Sequence, residues 1–262
     1  MAKREFPKGE LMKGKRGLIM GVANKNSIAW AIAEQLHAQG AEIAFTYQGE
    51  ALERRVRPLA ESIGSKIIVP CDVTDDASMD ACFDTLKKEW GEIDFLVHSI
   101  AFCVATDLHG RVVDCSRAGF AQAMDISVHS LIRMAQRAEP LMTKGGTILT
   151  MTYYGGEKVV DHYNIMGPVK AALDGTMRAL AVELGPKGIR VNAISPGPLQ
   201  TRAGSGIAHF DELIDAARSR APEQTLVTIK DVGDVAVMLA SDGMGRVTGD
   251  VTYVDGGLHV RA

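Results

Sequence analysis

Tyr163 and Lys170 stand seven residues apart, and Tyr153 precedes Tyr163 by ten. A lysine ammonium near a phenol favours the phenolate and makes the hydroxyl a better proton donor. Such a donor is useful where negative charge gathers on a substrate oxygen. Seven residues are close to two helical turns, so a helix over 163–184 would put both side chains on one face. Tyr153 follows the apolar run 147–151 and would converge on the same place from a strand end. On their own, a Tyr and a Lys on one helix face are ordinarily a packed ring and a solvated charge. They become a catalytic pair only if the rest of the chain supplies a cofactor.

The elements that must position them read as a regular alternation. Short apolar runs at 17–22, 42–46, 67–70, 94–99, 147–151, 189–194 and 251–254 are strands. Between them lie helical stretches at 27–39, 51–63, 72–90, 117–142 and 163–184, with two more at 211–220 and 231–240. Pro58 should kink or split the second helix. Pro168 is out of place in a helix that opens at Tyr163, unless the helix begins near Met166. The alternation predicts an α/β fold: a single-domain, Rossmann-type, doubly wound parallel sheet of about seven strands with helices on both faces. Residues 1–262 form one domain, with 1–15 a polar arm on the surface. Ligands on such sheets bind beyond the carboxyl ends of the strands.

The chain of 262 residues is 46% hydrophobic and 23% charged, ordinary for a globular protein. A net charge of −3 argues against nucleic acid or an anionic membrane as partner. No run approaches the length of a membrane span, and the N-terminal stretch has no apolar core of a signal peptide. The four cysteines form no C-x-x-C pair, and the seven histidines show no metal-ligand spacing. No metal site is expected, and free thiols point to a reducing, cytoplasmic setting.

The first strand leads through Gly21-Val22-Ala23-Asn24-Lys25-Asn26-Ser27 into the first helix. Such a turn sets backbone N–H groups and a helix N-terminus against a pyrophosphate. The G-x-G-x-x-G spacing is missing, so the signal is weak alone, and Ser27 could be a plain N-cap. Asp72-Val73 follows the third strand, where a carboxylate can accept from an adenine amino group or simply cap a turn. After the second strand comes Tyr47-Gln48-Gly49-Glu50, with no Arg or Lys at once. A 2′-phosphate would want a cation there, so the reading leans towards NADH over NADPH.

These residues together resemble the short-chain dehydrogenase/reductase superfamily and, within it, the bacterial NADH-dependent enoyl-acyl-carrier-protein reductases. Ordinary superfamily members carry Tyr-x-x-x-Lys and a serine about thirteen residues upstream. Here Tyr163 and Lys170 are separated by six residues, Thr150 holds the serine place, and Tyr153 supplies a second tyrosine. G-V-A-N-K-N-S-I-A at 21–29, F-T-Y-Q-G-E at 45–50, C-D-V at 71–73, H-S-I-A-F at 98–102 and N-A-I-S-P-G-P at 192–198 are similar to that family too.

The resemblance implies roles by position. Gly21, Ser27 and Ile28 would hold the pyrophosphate, and Gln48, Asp72 and Val73 the adenosine. Ile100 would lie by the cofactor, and Lys170 would bind the nicotinamide ribose. Leu199, Gln200, Thr201, Arg202 and Ala203 would close over the nicotinamide. Tyr163 would donate to the thioester oxygen, with Tyr153 assisting. Phe102, Cys103, Met166, Ile207 and Phe210 would form the acyl pocket. The substrate would be a 2-enoyl thioester on acyl carrier protein or coenzyme A, in fatty acid biosynthesis, and the assembly a homotetramer. Two departures stand out: Pro196 resembles the turn of ordinary short-chain dehydrogenases, and Arg202 puts a charge in an apolar loop. A ketone or alcohol oxidoreductase, or a dinucleotide sensor without turnover, are the alternatives.

Overall fold

Continuous apolar runs dictate the centre of the molecule, because strands covered on both faces need no polar alternation. The structure, a computed structural model, describes residues 6–201, 204–206 and 208–261. Seven strands, β1 (Arg16–Met20), β2 (Glu42–Tyr47), β3 (Ile68–Pro70), β4 (Phe95–His98), β5 (Gly146–Met151), β6 (Ile189–Pro196) and β7 (Val251–Val254), form one sheet. All six pairings are parallel, in the order β3-β2-β1-β4-β5-β6-β7. The winding therefore reverses between β1 and β4, whose register sets Met20 beside His98.

Nine α-helical segments flank the sheet among the described residues: α1 (Ile28–Ala38), α2 (Gly49–Ser62), α3 (Asp76–Trp90), α4 (Ala105–Leu108), α5 (Arg117–Met124), α6 (Ser130–Ala138), α7 (Met166–Leu184), α8 (Phe210–Arg220) and α9 (Ile229–Ala240). Successive strand residues feed opposite cores. Leu18, Leu96, Ile148 and Val191 pack with α3, α6 and α7. Ile19, Val97, Leu149 and Ile194 pack with α1, α2 and α9.

Several sequence expectations need correction. Pro58 does not split α2. It is exposed, as is Arg54, so the carbonyl deprived of its helical donor lies on a solvent-facing side. The helix read over 72–90 begins at Asp76, with Asp75 accepting from the Ala77 N–H as its cap. The helix read over 117–142 is broken by a wide π turn at Asp125–His129 and closes in a 3₁₀ turn at Glu139–Leu141. The N-terminal arm is not wholly superficial: Met12 is fully buried against the α1 side of the core. The Met12 N–H donates to the Gln39 carbonyl, and the Gln39 amide donates to the Pro7 carbonyl at 2.6 Å.

The largest correction concerns α7, which starts at Met166 and leaves Tyr163 in the preceding turn. His162 (φ 63°) and Asn164 (φ 45°) take left-handed conformations that no helix can include. Pro168 thereby falls in the first helical turn, where its missing N–H has no partner to lose.

Candidate active site

Because β1 and β4 are in register, their ends emerge together at the reversal of the sheet. Gly21 lies there with φ 95°, and a Cβ on it would meet the Ser99 carbonyl oxygen at 1.9 Å. Only glycine fits, and the chain turns directly over the strand ends into α1. Ser27 does not cap the helix through its side chain. Its Oγ accepts from the Ala23 and Asn24 N–H groups at 3.0 and 3.1 Å, holding the turn in shape. The Trp30 and Ala31 N–H groups donate to the Ser27 carbonyl at 3.0 and 3.2 Å, so the Ile28 and Ala29 N–H groups, ahead of that first bond, are the ones available to an anion.

A cavity of about 770 Å³ runs from this turn across the carboxyl ends of the strands. Gly21, Ser27, Ile28, Gln48, Asp72, Val73 and Ile100 line it, as do Leu199 and Thr201. Tyr153, Tyr163, Lys170, Phe102, Cys103, Met166 and Phe210 line it as well. Gln200 is exposed and not among the lining residues. Arg202, Ala203 and Ile207 lie outside the described residues. Sequence reasoning missed Ser99, Tyr47 and Pro196, which simply flank expected positions, and also Gln122 and Ile126. The last two come from α5 and the π turn, which carried no recognisable signal. Ser127 in that turn fixes the loop after β4, accepting from the Phe102 N–H at 3.0 Å and donating to its carbonyl at 3.2 Å.

At the end formed by β2 and β3, Gln48 Nε2 donates to Asp72 Oδ2 at 2.9 Å. Asp72 Oδ1 accepts from the Thr74 N–H and hydroxyl at 2.9 and 2.7 Å. Asp72 thus caps a turn and also lines the cavity. Burial raises its carboxyl, but the hydrogen bonds from Gln48 and Thr74 outweigh it and hold the group below its ordinary value. Arg54, the nearest cation along α2, is exposed and pairs with Glu50 at 3.4 Å.

At the other end Tyr153 and Tyr163 meet edge to face, with ring centroids 4.8 Å apart and planes at 66°. Gly155 permits this approach, since a Cβ there would lie 2.7 Å from Tyr163 Cδ1 and 3.1 Å from Tyr153 Cδ1. Lys170 is buried, and its Nζ donates to the Met151 carbonyl at 2.7 Å, leaving two N–H donors. Burial pulls the ammonium down to about 8, against the opposing pull of Asp174. The expectation that Lys170 would draw Tyr163 towards phenolate is not met. Burial, with Tyr153 and Asp174 adding, pushes the Tyr163 hydroxyl far above the ordinary phenol value. At neutral pH the cavity is therefore lined by both a protonated phenol and an ammonium. Burial likewise pushes the Cys103 thiol up to about 11, so it faces the cavity as a neutral group.

Thr150, at the place of the usual superfamily serine, is fully buried and does not line the cavity. Its hydroxyl lies 3.3 Å from His98 Nδ1, while His98 Nε2 lies 2.7 Å from Ser130 Oγ. Ser130 spends its own proton on the Ile126 carbonyl at 2.6 Å, so His98 must donate from Nε2 and accept at Nδ1. Burial first, then the Lys170 charge, holds His98 down to about 3, which keeps it neutral. It is a satisfied core residue.

A Rossmann sheet whose crevice across the strand ends is lined by two tyrosines and a lysine defines a nicotinamide-dependent oxidoreductase of the short-chain dehydrogenase/reductase type. The second tyrosine, the six-residue spacing and the withdrawn Thr150 narrow the class further. The family model described as Enoyl-(Acyl carrier protein) reductase matches residues 21–259. Enoyl-acyl-carrier-protein reductase (NADH) 1 of Rhizobium meliloti is 54% identical over 249 residues, covering 95% of this chain and 92% of that protein. The crystal structure of the Anaplasma phagocytophilum enoyl-acyl-carrier-protein reductase in complex with NAD superposes with a TM-score of 0.94 at 50% identity, covering 98% of each chain. The Bacillus cereus enoyl-acyl carrier protein reductase, solved with NADP+ and indole naphthyridinone, gives 0.94 at 48% identity, covering 97% of this chain and 99% of that one. The chain belongs to the enoyl-acyl-carrier-protein reductase family.

Proposed function

We propose that the protein reduces the double bond of a trans-2-enoyl thioester on acyl carrier protein, with NADH as the reductant, in fatty acid biosynthesis. The observation that carries this reading is the convergence of Tyr153, Tyr163 and Lys170 at one end of a cavity whose other end is the Gln48–Asp72 pair. The chain fits the dinucleotide: the turn at Gly21, packed directly on Ser99, brings Ser27 and Ile28 at the start of α1 to the cavity for a pyrophosphate, and Lys170 keeps two donors for ribose hydroxyls. When bound, the reduced nicotinamide supplies a hydride to the β-carbon of the enoyl group. Tyr163 donates a hydrogen bond to the thioester oxygen as negative charge collects there, and its protonated state makes that donation available at neutral pH. Tyr153 packs against it and fixes the ring. Phe102, Cys103, Met166 and Phe210 surround the acyl chain and exclude water.

The pairing of Arg54 with Glu50 favours NADH, because a 2′-phosphate would meet a carboxylate and a cation already engaged. A soluble homotetramer is the expected assembly, with exposed Phe120, Ile132 and Val182 as apolar contact surface. Sedimentation of a monomer at micromolar concentration would overturn that assembly. Among the described residues no helix is long and apolar enough to cross a membrane.

The test follows the absorbance of NADH and of NADPH, in turn, with a medium-chain 2-enoyl thioester and its 3-keto analogue. Oxidation with the enoyl compound and NADH is expected. Oxidation only with the keto compound would replace the reading by an ordinary short-chain dehydrogenase.

A further inference from the structure

The acyl end of the cavity is rimmed by three segments that hold one another. The Asn164 amide donates to the Leu108 carbonyl at 2.7 Å, and His109 Nε2 lies 2.8 Å from the Gly206 carbonyl. The third side of the rim is a stack of two imidazoles, His162 and His209, with centroids 4.5 Å apart and planes at 25°. Each histidine adjoins a lining residue, Tyr163 in one case and Phe210 in the other. Each also has a left-handed backbone, at φ 63° and φ 54°, a conformation uncommon outside glycine but one in which Asn, Asp and His are enriched. Glu212, in the first turn of α8, brings Oε1 to 2.9 Å from His209 Nδ1. One ligand atom from each of His162, His209 and Glu212 lies within 4.8 Å of the others. The two histidines are far apart in the chain, so no sequence spacing could show the cluster.

We propose that His162, His209 and Glu212 form a Zn²⁺ site that closes the rim of the acyl pocket. Two imidazoles and a carboxylate are a donor set that zinc accepts readily, with water in the fourth position. Tetrahedral zinc at 2.0–2.1 Å from each donor needs donors about 3.3 Å apart. All three side chains are at least partly exposed and can close that gap by rotation. Filling the site ties α8 to the turn that carries Tyr163, so zinc narrows the entrance without touching the reacting groups. This consequence for turnover rests on the proposed reductase reaction, whereas metal binding does not.

The test uses the full-length, tag-free protein stripped with EDTA. Calorimetry with ZnCl₂ is expected to give one site per chain, and CoCl₂ the visible absorption of a tetrahedral centre. His162→Asn and His209→Asn, which keep the left-handed backbone, should each weaken zinc by at least about tenfold. NADH affinity serves as the fold control and should not change. Zinc should raise KM for a long-chain enoyl thioester in the wild type, and EDTA should reverse the rise. Absence of binding at millimolar zinc, or undiminished binding in both variants, would overturn the site. Binding that leaves KM unmoved, in an enzyme that does turn over, would overturn the closing of the rim.

Discussion

Gly155→Ala places one methyl group between the two site tyrosines. Its Cβ would stand 2.7 Å and 3.1 Å from Tyr163 Cδ1 and Cε1, and 3.1 Å from Tyr153 Cδ1. Ordinary carbon–carbon contact lies near 3.5–4.0 Å, so the Tyr163 ring must move by about 1 Å. The ring is buried and already in contact with Tyr153, which leaves displacement of the hydroxyl as the available relief. A 1 Å misplacement of a catalytic group costs about 10² in rate. Overpacking of this kind costs about 1–3 kcal/mol of stability, enough to lower Tm by several degrees but not to unfold the chain. The Gln48–Asp72 end is untouched, so NADH affinity by fluorescence titration should match the wild type. The assay is steady-state oxidation of NADH by an enoyl thioester at saturating NADH. Turnover within about twofold of wild type, in a folded variant whose Tm has fallen as expected, would refute the role assigned to the Tyr163 position.

Tyr163→Phe removes the donor itself and should lower kcat by about 10²–10³ while leaving NADH binding intact. Equal turnover in the mutant would remove Tyr163 from the mechanism. Lys170→Ala should weaken NADH binding, and the wild-type affinity should fall as pH rises through about 8, where the ammonium is lost. In the variant that pH dependence should vanish, and a persistent break near pH 8 would assign it elsewhere. Stability of the free protein should move the opposite way. The unfolded lysine keeps its proton to its ordinary 10.5, so between about 8 and 10.5 the unfolded state binds more protons and stability rises with pH. Thermal melts across that window, with Lys170→Ala as control, measure the term.

The strands were legible because buried parallel strands are uninterrupted apolar runs, and all seven lie within a few residues of their sequence positions. The nucleotide end was legible for a related reason, since Gly21, Gln48 and Asp72 sit immediately after strands. What stayed hidden depends on backbone choices between elements. The left-handed turns at His162 and His209 have no compositional signal, so Pro168 alone hinted that α7 begins near Met166, and the meeting of the two imidazoles could not be read. The end of α5 and the π turn, which deliver Gln122 and Ile126, are equally silent. Tyr163 was assigned the right neighbours through the wrong element: α7 carries Lys170 to the site, and a turn carries Tyr163. The influence of Lys170 on Tyr163 was misjudged because burial of both groups cannot be weighed before the fold is known.

The strand order has a consequence for the way the pocket comes into being. β1 lies beside β4, so a long stretch containing β2 and β3 must be wound before Gly21 and Ser99 meet. The Tyr–Lys end waits longer, for β5, the π turn and α7. A chain emerging from the ribosome can shape the adenosine end while the chemical end is still unmade. Closing such loops is slow relative to local structure, and a bound nucleotide stabilises only chains that have completed it. In a refolding chain, appearance of full cofactor affinity is therefore a clock for the last crossings of the sheet, and the cofactor acts as a latch on the finished molecule rather than a template for it.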